Sequence, residues 1–327
     1  MVRLRSQTKR ERQIEWENDN PDRISDLPDE LMVSTSVLAK KWRYRWTSVP
    51  VIDFHSLGSC YVSEARRPKR IIRYMDFVDR GLSFHRDNSI KKFSLDYNGR
   101  FDTSPVQEWI STALRHKVEE LSLTLLELGM DSDLSLPESV SFPKHKILRL
   151  DVLLENEHFI HMLLSSSPIL EELSLGVCRW RIQHLSIFGS NMKRLFIKSA
   201  TRKYFDIQIN APNLQSFKYS SMLARDFVSQ NFSTLLDAQI ILKRSAGYGE
   251  LGDQLRYLVT KLFNCVSHVK YLTISEYVLK FLTYQDHFLK SLSQFYNLIH
   301  LEVMTAASHI GYGFHDEVIL PCRTVES

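Results

Sequence analysis

The 327-residue chain predicts an α/β fold, a solenoid of stacked strand-and-return units preceded by a short α-helical segment. Three observations carry this. A short phrase with two apolar residues one position apart recurs along most of the chain, amphipathic stripes lie between several of its copies, and the basic excess is confined to the N-terminal quarter. Residues 1–73 hold 15 Lys and Arg against 10 Asp and Glu, whereas the remaining 254 hold 27 against 28, so the charge marks off an N-terminal module.

From the N-terminus, MVRLRSQTKRERQIEWENDNPDR is charged throughout and has no apolar signal-peptide core, and no later run reaches membrane-span length. A cytoplasmic or nuclear protein is expected. Residues 1–21 read as a basic flexible tail. DLPDELMVSTSVLAKKWRYRW, residues 26–46, starts acidic and ends basic, as the helix dipole favours. A single helix from Pro28 to about Trp46 would place Leu31, Leu38, Trp42 and Trp46 near one face, although Val33-Ser34-Thr35-Ser36 has poor helix propensity. KKWRYRW could also neutralise phosphates and stack on bases. Tryptophans at i and i+4 are what packing requires, so an amphipathic helix is the preferred reading and nucleic acid is not expected as a partner.

The repeating phrase is carried by Phe93 and Leu95, Leu121 and Leu123, Leu148 and Leu150, Leu173 and Leu175, Leu195 and Ile197, Phe217 and Tyr219, Leu272 and Ile274, and Leu301 and Val303. The first residues of successive pairs lie 28, 27, 25, 22 and 22 residues apart before a 55-residue gap that holds one more strand, LLDAQIIL at 235–242. That period is the signature of leucine-rich repeats, here degenerate because the asparagine of stricter repeats is missing. One strand and its return cannot bury a face alone, and stacking builds a continuous core.

Several of the returns read as helices. In SPVQEWISTALRHK, Ser104 is the expected N-cap and Pro105 the first helical residue, with Val106, Trp109, Ile110, Ala113 and Leu114 on one stripe. HFIHMLLSS and DQLRYLVTKLF repeat this. The expected outcome is a leucine-rich-repeat solenoid, a horseshoe arc with strands on one side and helices on the other.

These phrases carry a resemblance. DRISDLPDEL and TSVLAKKWRYRWTSVPVIDF resemble the two ends of the F-box in the large plant group of F-box proteins with leucine-rich repeats. IIRYMDFVDRGLSF, LLSSSPILEELSL and INAPNLQSFKYS are similar to that group's linker and repeat phrases. The resemblance spans roughly residues 22–310. It implies a target-recognition subunit of an SCF-type ubiquitin ligase, binding a Skp-type adaptor through the F-box and an unknown target protein through the repeats. It further implies no catalysis, no cofactor and no metal. The residues matching the adaptor-binding pattern are Leu27, Pro28, Leu31, Val37, Leu38, Trp42, Arg43 and Trp46.

Two departures stand out. Between DEL and TSVL only Met32, Val33 and Ser34 remain, where the family carries a helix continuation, a Leu-Pro turn and the start of the next helix. About a dozen residues, on the order of three turns, are missing. They would bury three or four apolar side chains at roughly 1.5–3 kcal/mol each. Losing even half of that weakens adaptor binding by about two to four decades, which opens the alternative of a repeat-only binding or decoy protein. At the other end, ILPCRTVES resembles at most the beginning of the FBD domain that follows in many relatives.

Organisation then reads as a tail at 1–21, a shortened F-box-like helical segment at 22–56, a linker at 57–89, the solenoid at 90–310 and a C-terminal tail at 311–327. Other motifs carry less. RRPKR at 66–70 and RLRSQTKRER could be nuclear-localisation signals or a charged linker and tail. GYGELG at 247–252 matches GxGxxG, but Lys243 to Ala246 separate it from the preceding strand, so a repeat loop with Asp253 capping the next helix is preferred over a dinucleotide site. His158 and His161 near Glu155 and Glu157 lack a further ligand motif, and Cys60, Cys178, Cys265 and Cys322 show no disulfide or zinc spacing. GxSxG and P-loop patterns are absent from the sequence.

Overall fold

The computed structural model describes residues 49–55, 67–85, 90–97, 103–125, 142–152, 157–177, 182–199, 205–230, 232–242, 252–283 and 295–304. The chain forms two compact units, Met1–Val51 and Ile52–Ser327. Only residues 49–51 of the first are described, so the architecture below is that of the second.

Alternating apolar residues make its strands. In chain order these are β1 (Val51–His55), β2 (Lys92–Tyr97), β3 (Glu120–Leu125), β4 (Ile147–Val152), β5 (Glu172–Val177), β6 (His184–Phe188), β7 (Arg194–Ser199), β8 (Asp206–Asn210), β9 (Ser216–Ser221), β10 (Asp226–Gln230), β11 (Asp237–Leu242), β12 (Tyr271–Ser275) and β13 (His300–Met304). The helices are α1 (Arg67–Phe84), α2 (Thr103–Arg115), α3 (His158–Ser166), α4 (Gly252–Cys265) and α5 (Glu276–Thr283).

Ten strands form one sheet in the order β1-β2-β3-β4-β5-β7-β9-β11-β12-β13. From β2 onward every neighbour pair is parallel. Every pair expected from the sequence falls on one of these strands, with β11 in the long gap. The register stacks the first residues of the pairs into one column, Phe93-Leu121-Leu148-Leu173-Leu195-Phe217-Ala238-Leu272-Leu301, and the second residues into another. Both columns are buried as far as β12 and form the core, because residues two apart on a strand share a face.

A turn precedes each strand of the ten-stranded sheet from β4 to β13. Backbone bonds run from His145 to Phe142, Leu170 to Ser167, Met192 to Gly189, Leu214 to Ala211, Leu235 to Phe232, Val269 to Val266 and Leu298 to Phe295. Pro143, Pro168 and Pro212 occupy the second turn position, where their fixed φ is preorganised. The carbonyl just before each strand accepts two successive N–H groups from the next repeat. This ladder runs from Lys91, bound by Glu119 and Glu120 at 2.9 Å, to Lys270, bound by Ile299 and His300 at 2.8 and 3.0 Å.

Side chains tie the same turns together. Asn191 Nδ2 donates to the Pro168 carbonyl at 2.8 Å, Asn213 Nδ2 to that of Ser190 at 2.7 Å, and the Thr234 hydroxyl lies 2.9 Å from the Pro212 carbonyl. Each of these residues stands four positions before the first core residue of its strand. Asn191 and Asn213 thus stand upstream of the leucine phrase, at a different position from the asparagine that follows it in stricter repeats, where Ala200 and Met222 stand here.

The returns correct the sequence expectation in part. α2, α3 and α4 are helices as expected and bury the predicted stripe of Val106, Trp109, Ile110, Ala113 and Leu114 together with Phe159, Ile160, Leu163, Val259 and Leu262. The central returns instead form a second parallel sheet, β10-β8-β6, burying Leu185, Ile187, Ile207, Ile209 and Phe227. A strand rises more than twice as far per residue as a helix, so the 22-residue repeats cross back with five residues where the longer ones use eight or more. α2 begins at Thr103 and α4 at Gly252, so Ser104 and Asp253 lie inside first turns and do not precede them. Part of RRPKR, Arg67 to Arg70, is the first turn of α1 and no flexible linker.

The N-terminal end of the sheet is closed by α1. Tyr74 donates to the carbonyls of Phe54 and Asp96 at 3.0 and 3.1 Å, tying α1 to β1 and β2. Trp109 Nε1 donates to Asp79 at 2.6 Å, joining α2 to α1.

Candidate protein-binding face

Burying alternate residues of a parallel sheet forces the intervening ones outward. Three outward rows result. The first reads Lys92-Glu120-Ile147-Glu172-Arg194-Ser216-Asp237-Tyr271-His300, the second Ser94-Ser122-Arg149-Ser174-Phe196-Lys218-Gln239-Thr273-Glu302, and the third Asp96-Thr124-Asp151-Gly176-Lys198-Ser220-Ile241. Leucine columns underneath fix these positions, while nothing in the core dictates their chemistry.

The first two rows are stitched across strands. Glu172 receives Arg149 Nη2 at 2.5 Å and Arg194 Nε at 2.7 Å on its two oxygens, and Arg149 also lies 3.7 Å from Glu120. Ser216 donates to Asp237 at 2.6 Å and Thr273 to Glu302 at 3.1 Å. These cross-strand pairs hold long side chains in place and make the face a preorganised surface.

Its middle is a shallow hollow of about 420 Å³ spanning β4 to β11, with Phe196 and Lys218 at its centre. Outside the hollow's lining, in the third row, Gly176 carries no side chain, and the Asp151 carboxyl lies over it, 3.1 Å from where a Cβ would stand. Burial raises the Asp151 carboxyl above its usual range, opposed by the charge of Lys198 and reinforced by that of Asp96. Arg194, Lys198 and Lys218 are exposed. Among the described residues neither Lys198 nor Lys218 forms an ion pair within 4.0 Å.

Leu27, Pro28, Leu31, Val37, Leu38, Trp42, Arg43 and Trp46 lie outside the described residues, as do KKWRYRW, the basic start and all of GYGELG except Gly252. His158 and His161 sit on α3, where the His161 ring packs 5.1 Å from Phe188. Among the described residues no His, Cys, Asp and Glu cluster could hold a metal, and no helix is long and apolar enough to cross a membrane. Cys265 Sγ donates to the Lys261 carbonyl on its own helix at 3.1 Å.

Comparison with known proteins bears on this arrangement. Residues 82–233 match the family model described as FBD-associated F-box protein At5g56370, LRR repeats. From Arabidopsis thaliana, the F-box/LRR-repeat protein At3g58900 is 30% identical over 260 residues, covering 68% of this chain and 80% of that protein. The chain belongs to the F-box/LRR-repeat family. At4g14096, also an F-box/LRR-repeat protein of that plant, is 30% identical over 86% of this chain and 64% of its own length, and At3g59210 is 31% identical over 77% and 59%. The chain thus spans 54% to 64% of the length of several curated relatives. No solved structure matches it. For an F-box/LRR-repeat protein, the matched stretch runs from the end of α1 to the turn before β11, so it contains the strands that build most of the hollow.

Proposed function

We propose that the chain is a non-catalytic adaptor of an SCF-type ubiquitin ligase. The outward face of the sheet binds a target protein, and the F-box-like segment at 22–56 engages a Skp-type adaptor. Such a chain acts in the cytoplasm or nucleus by raising the effective concentration of target at the ligase, with no bond made or broken on its own residues. The supporting observation is the stitched, outward-facing sheet over a continuous leucine core, in a chain that belongs to the F-box/LRR-repeat family.

The three residues left between DEL and TSVL favour a second reading, a repeat-only binder that captures its target without the ligase. Affinity for the Skp-type adaptor separates the two. Binding at about micromolar Kd or tighter, where roughly 8 kcal/mol of affinity remains, supports the ligase role. Absence of binding at that level, with the repeats folded, supports the repeat-only role.

A further inference from the structure

The outward face is divided by charge. On β2 to β4 it presents Asp96, Glu120 and Asp151 against Lys92 and Arg149, and Arg149 is already engaged by two glutamates. On β7 and β9 the outward residues are Arg194, Phe196, Lys198, Ser216, Lys218 and Ser220, with no acid among them. Glu172 on β5 partly answers Arg194, whereas Lys198, in the field of Asp151, and Lys218 have no ion-pair partner within 4.0 Å among the described residues.

Register gives the spacing. Lys198 and Lys218 are one strand and one outward step apart, so their Cβ atoms are about 8 Å from each other. Asp151 and Lys198 lie two strands apart with Gly176 between them, about 10 Å. An extended peptide advances roughly 3.3 Å per residue and turns alternate side chains the same way, so residues two apart reach both lysines and one two to four residues further along on the same face comes nearest Asp151. The Asp151 carboxyl lies over the bare backbone of Gly176, where an added Cβ would meet it at 3.1 Å, so it leans from β4 toward Lys198.

We propose that this hollow receives an extended acidic segment of the captured protein, with carboxylates over Lys198 and Lys218 and a basic side chain just outside it, beside Asp151. The proposal rests on reading the face as the target-binding surface and names the chemistry of what it takes. A polyanion such as RNA fits less well. Asp96, Glu120, Asp151 and Glu172 would repel its continuing phosphates, and residues 74–327 carry 27 basic against 28 acidic side chains, with no net attraction at long range.

The test is photo-cross-linking in the full chain with p-benzoylphenylalanine in place of Phe196, and in place of Gln208, exposed on the second sheet, as control. The expected result is protein cross-links at position 196 only, to segments holding two acidic residues and a nearby base. Their yield should fall about tenfold or more in Lys198→Glu/Lys218→Glu, shown by its unfolding curve to be folded, because like charges would then oppose each other. Cross-links to segments without acidic residues, or a yield unchanged by charge reversal, overturn the charge assignment and leave the face reading standing. Cross-links to RNA overturn it as well. Absence of any cross-link at position 196 overturns the face reading itself.

Discussion

His145 Nδ1 lies 3.0 Å from Ser167 Oγ, both fully or almost fully buried. The position is unusual for a histidine. Three residues before the first core residue of each strand come Ile90, Val118, Leu170, Met192, Leu214, Leu235, Val269 and Leu298, and His145 interrupts that apolar column. Burial pushes its imidazole down to about 4 from an ordinary 6.5. The folded chain therefore accepts the neutral ring, while the unfolded chain binds a proton below pH 6.5.

The sign of the pH dependence follows. Stability from this group is complete above pH 6.5 and is lost as pH falls toward about 4. The full loss is about 3 kcal/mol, from 1.36 kcal/mol for each pKa unit. Urea unfolding of the wild type and of His145→Leu between pH 7 and pH 4 should diverge by that order, the variant being less acid-sensitive. Parallel curves across the window would remove the assignment.

A second prediction concerns Gly81 on α1. A Cβ there would meet Phe54 Cζ at 2.5 Å, and the ring cannot swing away because it packs edge-on against Phe77 and Phe93 with centroids 5.4 and 6.0 Å distant. Alanine gains about 1 kcal/mol in helix propensity, but overpacking costs about 1–3 kcal/mol. Gly81→Ala should be net destabilising in thermal unfolding, and Phe54→Leu in the same chain should cost less than it does alone. Additive losses would show that the two residues are not coupled.

The turn ladder predicts a third result. Asn213 loses its bond to Ser190 on truncation, so Asn213→Ala should cost about 0.5–1.5 kcal/mol. Asn213→Thr should recover part of it, since Thr234 makes the equivalent bond one repeat later. Equal denaturation midpoints for wild type and Asn213→Ala would mean that the ladder adds nothing to stacking.

The core was legible because its code is local: apolar residues two apart, repeated at 22 to 28 residues, leave little choice but stacked strands. β1 was not. VIDFH alternates correctly, yet its partner β2 begins at Lys92, and the stretch reads as the tail of the helical segment. The second sheet was missed because five-residue returns such as HLSIF and DIQIN are too short to declare a period beside known helical returns. Phe196, Lys198 and Lys218 gave no signal at all. Their rows exist only once register is set, and register is a property of the stack and of no single repeat.

Glu172 supplies the last prediction. Its side chain keeps 19% exposure, while Arg149 and Arg194, which both bind it, keep 40% and 52%. Exposed partners are screened and can reorient into water, so Glu172→Ala should cost no more than about 1 kcal/mol despite breaking two ion pairs. The same change frees Arg194 and leaves Arg149 with Glu120 alone, adding positive charge at the rim of the hollow. Stability measured in urea and cross-linking yield at position 196 should therefore respond in opposite senses, the first falling slightly and the second rising. A loss well above 1 kcal/mol would make Glu172 a buried structural anion, and a fall in yield would mean that it fixes Arg194 for binding.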